Sequence, residues 1–286
     1  MTSGSLTALE QPCDHVMFED SEADNIAVVN PRIDRCVFQN VGLKRVRFTN
    51  GAISHSRFNA SYLRNATFEG VDLAGTSFTG CNLRHASFDN CQLWYVSFSH
   101  CDLNYDNVLQ NLPPQPNIRR HLLRSMRLNA DEMGDSAHET RVLLLELAAE
   151  RDELYATFTS ANHYFRTSFT AQDKFFALLR WLGHQLQRAF WGYGLRVSPL
   201  LRTAGLVILL FTFLFWKLAI FVPPVEKPVI GFWDAAFVSI TTFSTLGATG
   251  VEPAGGTGKL LLSLESFAGT IFLGLLAAVA YRKIAR

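Results

Sequence analysis

Residues 66–103 read ATFEG VDLAG TSFTG CNLRH ASFDN CQLWY VSFSH CDL, and the pattern recurs every fifth residue. Phe68, Leu73, Phe78, Leu83, Phe88, Leu93, Phe98 and Leu103 stand at the centres of successive pentads. Traced toward the N-terminus, the same register passes through Phe18, Ala23, Val28, Ile33, Phe38, Leu43, Phe48, Ile53, Phe58 and Leu63 without meeting a polar residue. Two positions before the centres runs a second, mostly small set: Cys36, Val41, Val46, Gly51, Ser56, Ser61, Ala66, Val71, Thr76, Cys81, Ala86, Cys91, Val96 and Cys101. A period of five fits neither a helix nor a strand, so the chain must turn a corner at each repeat and stack successive coils, with both sets facing inward.

This pattern resembles the pentapeptide-repeat family, and Asn82, Leu83 and Arg84 after Cys81, or Ser87 and Phe88 after Ala86, follow its repeat form closely. The resemblance implies a right-handed quadrilateral β-helix over residues 16–105, with four pentads to each square coil. Positions four pentads apart then stack, so that Phe38, Phe58, Phe78 and Phe98 form one column and Phe48, Phe68 and Phe88 the opposite one, with Leu and Ile on the two faces between. The register from 18 to 103 makes about four and a half coils, roughly 22 Å at ordinary strand spacing. Some members of the family imitate DNA with an acidic surface. Acidic and basic residues nearly balance across 16–105 here, so that role has no electrostatic basis. Cys36, Cys81, Cys91 and Cys101 occupy inward slots and read as small core residues.

The whole chain, 286 residues with 48% hydrophobic and 18% charged, is too apolar to be disordered. Its 23 phenylalanines mark both the repeat and a membrane segment. With 26 Lys plus Arg against 25 Asp plus Glu, the overall charge does not favour a nucleic-acid partner. Met1 to His15 lacks the apolar run of a secretory signal, which points to a cytosolic N-terminal part with reduced thiols. The histidines and cysteines form neither HxxxH nor CxxC spacing, so no metal or cofactor is expected. Nor is an enzyme: no nucleophile sits at motif spacing from an activating base, and Gly255, Gly256 and Gly258 lack the spacing of a phosphate loop.

After Tyr105 the period stops, and Pro113, Pro114 and Pro116 mark a boundary. Residues 106–172 read as a cytosolic helical connector, with helices over Asn117–Asn129 and His138–Tyr155. Arg119, Arg120, Arg124 and Arg127 make the first of these basic. They are read as a solvated face or as partners of the acidic stretch Glu146–Glu153. From Asp173 to Trp191, Phe175, Leu178, Leu179, Leu182, Leu186 and Phe190 recur at helical spacing, with Lys174, Arg180 and Arg188 supplying cations, as in a helix lying in a membrane interface against lipid.

Two apolar runs follow, giving spans over about 203–222 and 259–281. Lys217 lies near the end of the first, where its stem can snorkel to water. Lys174, Arg180, Arg188, Arg196 and Arg202 precede the first span and Arg282, Lys283 and Arg286 follow the second. The positive-inside rule therefore places both termini in the cytoplasm of a cell inner-membrane protein. The loop from Pro223 to Gly258 is then outside, with Glu226, Asp234 and Glu252 against Lys227. Within it, residues 231–244 form an apolar stretch of about 21 Å as a helix, too short to cross. The glycine-containing run after it reads as a re-entrant loop. Such backbone is tolerated at membrane depth only inside protein or around a water-filled cavity, which one chain with two spans cannot supply and several copies around an axis can.

Residues 203–286 resemble the two-transmembrane pore module of the potassium-channel superfamily: outer helix, pore helix with Phe232, Asp234, Ala235, Phe237, Ser239 and Thr242, filter loop, Pro253, and an inner helix opening Gly258, Lys259, Leu260. The resemblance implies an ion channel, tetrameric, whose permeant cation is K⁺ or Na⁺ and whose filter is Thr245, Leu246, Gly247, Ala248, Thr249 and Gly250. It also implies an inner-helix hinge at Gly269 or Gly274, and Glu265 is read as a partner of groups behind the filter. The family filter reads TVGYG; here Ala248 removes the aromatic brace and Thr249 replaces a glycine of unusual backbone angles. Weak cation selectivity is the consequence. Gly192, Tyr193 and Gly194 also spell GYG, but no span precedes them and they read as a turn. The β-helix is expected to be a regulatory or assembly domain. The rival reading is a nonconducting, membrane-anchored scaffold whose β-helix binds a partner.

Overall fold

The five-residue period is written into the backbone. Every fifth residue from His15 to His100 has φ between 47° and 70°, the left-handed region that turns a corner in one residue. Asn occupies six of these corners (Asn25, Asn30, Asn40, Asn50, Asn65 and Asn90) and Gly the three at 70, 75 and 80, the residue types that enter this region at least cost. The computed structural model describes residues 2–3, 9, 11–160, 162–195, 197–218, 221, 231–246, 253 and 255–284. It divides into two compact units, Met1–Leu179 and Arg180–Arg286.

Short parallel strands between the corners stack in the first unit with a register of 20 residues. Phe18, Phe38, Phe58, Phe78 and Phe98 are paired in one column, and Val28, Phe48, Phe68 and Phe88 in another. Within a column the rings stack, from 4.3 Å between Phe38 and Phe58 to 5.4 Å between Phe78 and Phe98. Across the interior the columns meet edge to face, with Phe68–Phe78 centroids at 6.5 Å and Phe88–Phe98 at 6.2 Å, the geometry that aligns ring edges with π faces. Leu43, Ile53, Leu63, Leu73, Leu83 and Leu93 close the remaining faces and are buried. The small slots bond as well as pack: Thr76 Oγ1 donates to the Ile53 carbonyl at 2.5 Å, and the Cys81 and Cys101 thiols point at the carbonyls of Phe58 and Phe78. All five cysteines are thiols. Burial pushes Cys91 up to about 11, which suits a core residue rather than a reactive one.

A stacked solenoid ends in open strand edges, and two helices cover those at its C-terminal end. Helix α1 (Tyr105–Gln110) places Asn107 Oδ1 2.6 Å from the Phe88 amide and Asn111 Oδ1 3.1 Å from the Asn90 amide. Helix α2 (Pro116–Glu132), with proline in its first turn, turns Ser125, Asn129 and Glu132 toward the neighbouring edge. The Phe98 amide donates to Ser125 Oγ at 2.7 Å, the Cys101 amide to Asn129 Oδ1 at 2.7 Å, and the His100 amide to Glu132 Oε2 at 2.9 Å. Leu122, Leu123, Met126 and Ala130 extend the same hydrophobic core. Helix α3 (Ser136–Thr159) packs on α2, contributing Val142 and Ala149 to that core. Arg119, Arg120 and Arg127 pair with Asp152, with Glu150 and Glu153, and with Glu146, so the acidic stretch is an internal partner of the basic helix. The expected connector is thus built into the same unit as the coils. Helix α4 (His163–Thr167) and helix α5 (Ala171–Trp191) follow.

The second unit holds α6 (Val197–Leu218), α7 (Phe232–Phe243) and α8 (Gly255–Ile284), with a 3₁₀ turn at Gly192–Gly194 before α6. Helix α6 begins six residues before the expected 203 because Pro199 lies in its first turn, where the missing N–H costs nothing. The Thr203 hydroxyl, bonded to the carbonyls of Pro199 and Phe190, ties that turn to the end of α5. Helices α6 and α8 are long and apolar enough to cross a membrane, both with mean hydropathy 1.9, yet only 17% and 11% of their apolar windows are buried. A core helix of a soluble protein would be mostly buried.

Candidate functional site

Helix α7 is the element that joins the two long helices. At 12 residues it is about 18 Å long, too short to cross a bilayer core. Its start is set by Asp234, whose Oδ2 accepts the Gly231 amide at 3.1 Å. Ala235 and Val238 pack with Phe215 and Phe221 into a cluster flanked by Phe211, Leu261 and Leu262. Phe237 and Ile240 face outward, and Trp233 is 82% exposed.

Two contacts, one helical turn apart, hold α7 on α8. In the first, Ser239 Oγ lies against Glu265 Oε1 and also 3.0 Å from the carbonyl oxygen of Ile208 on α6, so one hydroxyl touches three helices. Glu265 is fully buried, and its Oε2 and the Thr212 hydroxyl are buried without a hydrogen-bond partner. In the second, the backbone of Phe243 rests on Gly269, and a Cβ at that position would overlap the Phe243 carbonyl. Gly274 has open space around it. Helix α8 runs through both glycines without interruption.

The end of α7 carries the first predicted filter residues. The Leu246 amide bonds the Thr241 carbonyl at 3.0 Å and the Thr245 amide the Thr242 carbonyl at 3.1 Å, the double bond of a Schellman cap. That cap needs a left-handed residue, and Thr245 supplies it at φ 58°. A β-branched side chain there is strained, where glycine is the usual choice. Leu246 is 72% exposed. Gly247, Ala248, Thr249 and Gly250 lie outside the described residues, as do Glu226 and Glu252. Lys217 sits in the last turn of α6 with its ammonium 4.2 Å from the centroid of the Trp216 ring, a cation–π contact.

One feature was not anticipated from the sequence. Ser263, Ser266 and Thr270 recur at i, i+3 and i+7 on α8 and, with Thr242 of α7, Leu262 and Phe267, line an open hollow of about 540 Å³. The hydroxyls of Ser263 and Thr270 donate back to carbonyls four residues earlier. The signal was legible as hydroxyl residues at helical spacing in an otherwise apolar run. Among the described residues no three His, Cys, Asp or Glu side chains gather into a metal-binding set.

Residues 41–111 match the family model described as a pentapeptide repeat region. The N-terminal domain is a pentapeptide-repeat β-solenoid. No curated protein matches the chain. The chemistry-bearing arrangement of the second unit is the α6–α7–α8 assembly.

Proposed function

We propose that the protein is an oligomeric membrane pore that conducts cations, with α6 and α8 crossing the bilayer, α7 re-entering it, and the pentapeptide-repeat solenoid serving as a cytosolic regulatory or assembly domain. The observation that carries this reading is the short helix α7, seated between two exposed apolar helices and followed by a strained cap at Thr245. A helix too short to span, placed at that depth, needs enclosure by further copies. A fourfold ring is the arrangement we favour, as a closed rotational assembly. The hydroxyl face of α8 then lines the aqueous side, and the exposed leucines and phenylalanines of α6 meet lipid. On α5 the exposed Phe175, Leu179, Leu182, Leu186 and Phe190 form one apolar face for the membrane interface.

Oxygen ligands from the Thr245–Gly250 run and a pore helix whose negative end faces the axis favour cations over anions. Ala248 and Thr249 leave the carbonyl rings poorly braced, so K⁺ and Na⁺ permeabilities should agree within about tenfold, roughly 1.4 kcal/mol. Purified protein in liposomes under a sodium-to-potassium gradient tests the proposal through flux and reversal potential. Cation flux is expected, with a sodium–potassium reversal potential inside the roughly 60 mV that a tenfold permeability ratio allows, and with a dilution gradient of one salt giving a reversal potential on the cation side. No flux from correctly inserted oligomer would instead make the protein a nonconducting anchored scaffold, and chloride preference would overturn the charge argument.

A further inference from the structure

The contact between Ser239 and Glu265 contains a proton count. A serine hydroxyl has one hydrogen, yet Ser239 Oγ lies at bonding distance from two oxygens, the Ile208 carbonyl at 3.0 Å and Glu265 Oε1. A backbone carbonyl only accepts. If the serine hydrogen goes to Ile208, the contact with Glu265 becomes a hydrogen bond only when the carboxyl itself carries a hydrogen. If Glu265 were ionised, the one serine hydrogen would have to be divided between two acceptors in a three-centre bond, which weakens both contacts. The surroundings agree with the first arrangement. Glu265 is fully buried and its Oε2 has no partner. The cations with described side chains on the helices around it, Arg202 and Lys217 on α6 and Lys259 on α8, make no ion pair with it, the acid Asp234 of α7 accepts the Gly231 amide, and Tyr193 of the 3₁₀ turn bonds His184. An ionised carboxylate there would be desolvated with a single hydrogen bond in compensation, which is costlier than a neutral acid.

We propose that Glu265 is a neutral acid and the positioning residue of α7: its carboxyl proton is donated to Ser239 Oγ, whose own proton is donated to the Ile208 carbonyl, a directed chain binding α8 to α7 to α6. The place of the chain gives it consequence. Ser239 is one turn before Phe243 on α7, and Glu265 is one turn before Gly269 on α8, so the polar contact and the backbone contact form one seam that ends at the strained Thr245. Removing the proton reverses the donor at the first contact and releases the segment that leads into the run Thr245–Gly250. The functional part of this inference rests on the proposed pore; the protonation state does not.

The test uses full-length protein in liposomes and the variants Glu265→Gln, Glu265→Ala and Ser239→Ala. In infrared difference spectra at neutral pH, the wild type should show a protonated-carboxyl carbonyl band that Glu265→Gln lacks. Glutamine, whose amide also donates to Ser239, should keep oligomer and cation flux, whereas both alanine variants should lose flux. Raising the pH should abolish wild-type flux together with the band and leave the glutamine variant unchanged. Should the glutamine variant fail to fold, the wild-type band and its loss on alkaline titration still decide the protonation state, because exposed carboxyls are ionised at neutral pH. Absence of the band overturns the proposal, as does glutamine losing flux like alanine while inserted and assembled. A wild type with the band and no flux at all refutes the pore and leaves the neutral acid standing.

Discussion

Replacing Asn129 by leucine tests whether side chains of α2 really finish the solenoid. Asn129 is fully buried and makes three hydrogen bonds: it accepts the Cys101 amide at 2.7 Å and donates to the Cys101 carbonyl at 2.9 Å and to the Tyr105 hydroxyl at 2.8 Å. It stands where the next coil would be, satisfying both backbone groups of Cys101 on the open edge. Leucine has the same number and branching of side-chain heavy atoms and is somewhat bulkier, so the substitution removes partners without opening a cavity. Two backbone groups are left buried and unpaired, at about 1–3 kcal/mol each, while the tyrosine hydroxyl can find another partner. The expected loss is therefore about 2–6 kcal/mol, against about 5–15 kcal/mol for the whole stability of an ordinary domain. Urea unfolding of a fragment ending after α3, followed by far-ultraviolet circular dichroism, reads it as a lower midpoint at unchanged slope. The bared edge should also make the leucine variant self-associate. A midpoint shift worth less than about 0.5 kcal/mol, the size of an ordinary surface change, would refute the capping argument.

Leu73 has no exposed surface, and Leu73→Asp puts a carboxylate without a partner into the phenylalanine-lined interior; the same fragment should lose its cooperative transition, and retention of the wild-type midpoint would show the column assignment to be wrong. In Gly269→Ala the new methyl meets backbone that cannot yield, so the seam between α7 and α8 should open and thermal stability in detergent should fall, whereas Gly274→Ala, with open space, should behave as wild type; equal thermal midpoints for the two variants would contradict the packing role. Acid sensitivity should report on Asp135. Burial alone raises its pKa, but the His138 amide and ring hold it below the ordinary 3.8. A folded value below the unfolded one means stability that is present above about 3.8 and lost as pH falls through the depressed folded value. Asp135→Asn, still a good helix cap, should flatten that acid limb, and an unaltered limb would remove Asp135 as its source.

Much of the solenoid was decided by sequence because its rule is local. A corner every five residues, an inward large residue and an inward small one repeat so regularly that the register of Phe38, Phe58, Phe78 and Phe98 follows from counting alone. The apolar runs of α6 and α8, and the short apolar stretch between them, are equally local quantities of length and composition. The partners that complete these elements are not. Asn107, Asn111, Ser125, Asn129 and Glu132 look in sequence like the polar face of two solvated helices, and only their placement on open strand edges makes them substitutes for a missing coil. Gly269 and Gly274 are indistinguishable as letters in an apolar run, and only the approach of the Phe243 backbone separates a glycine that must stay small from one with room to spare. Glu265 interrupts its helix visibly, but that it shares the Ser239 hydroxyl with the Ile208 carbonyl required three helices to be brought together. Periodicity is a property of neighbours along the chain. Hydrogen-bond satisfaction and close packing are settled between groups that only the folded structure makes neighbours.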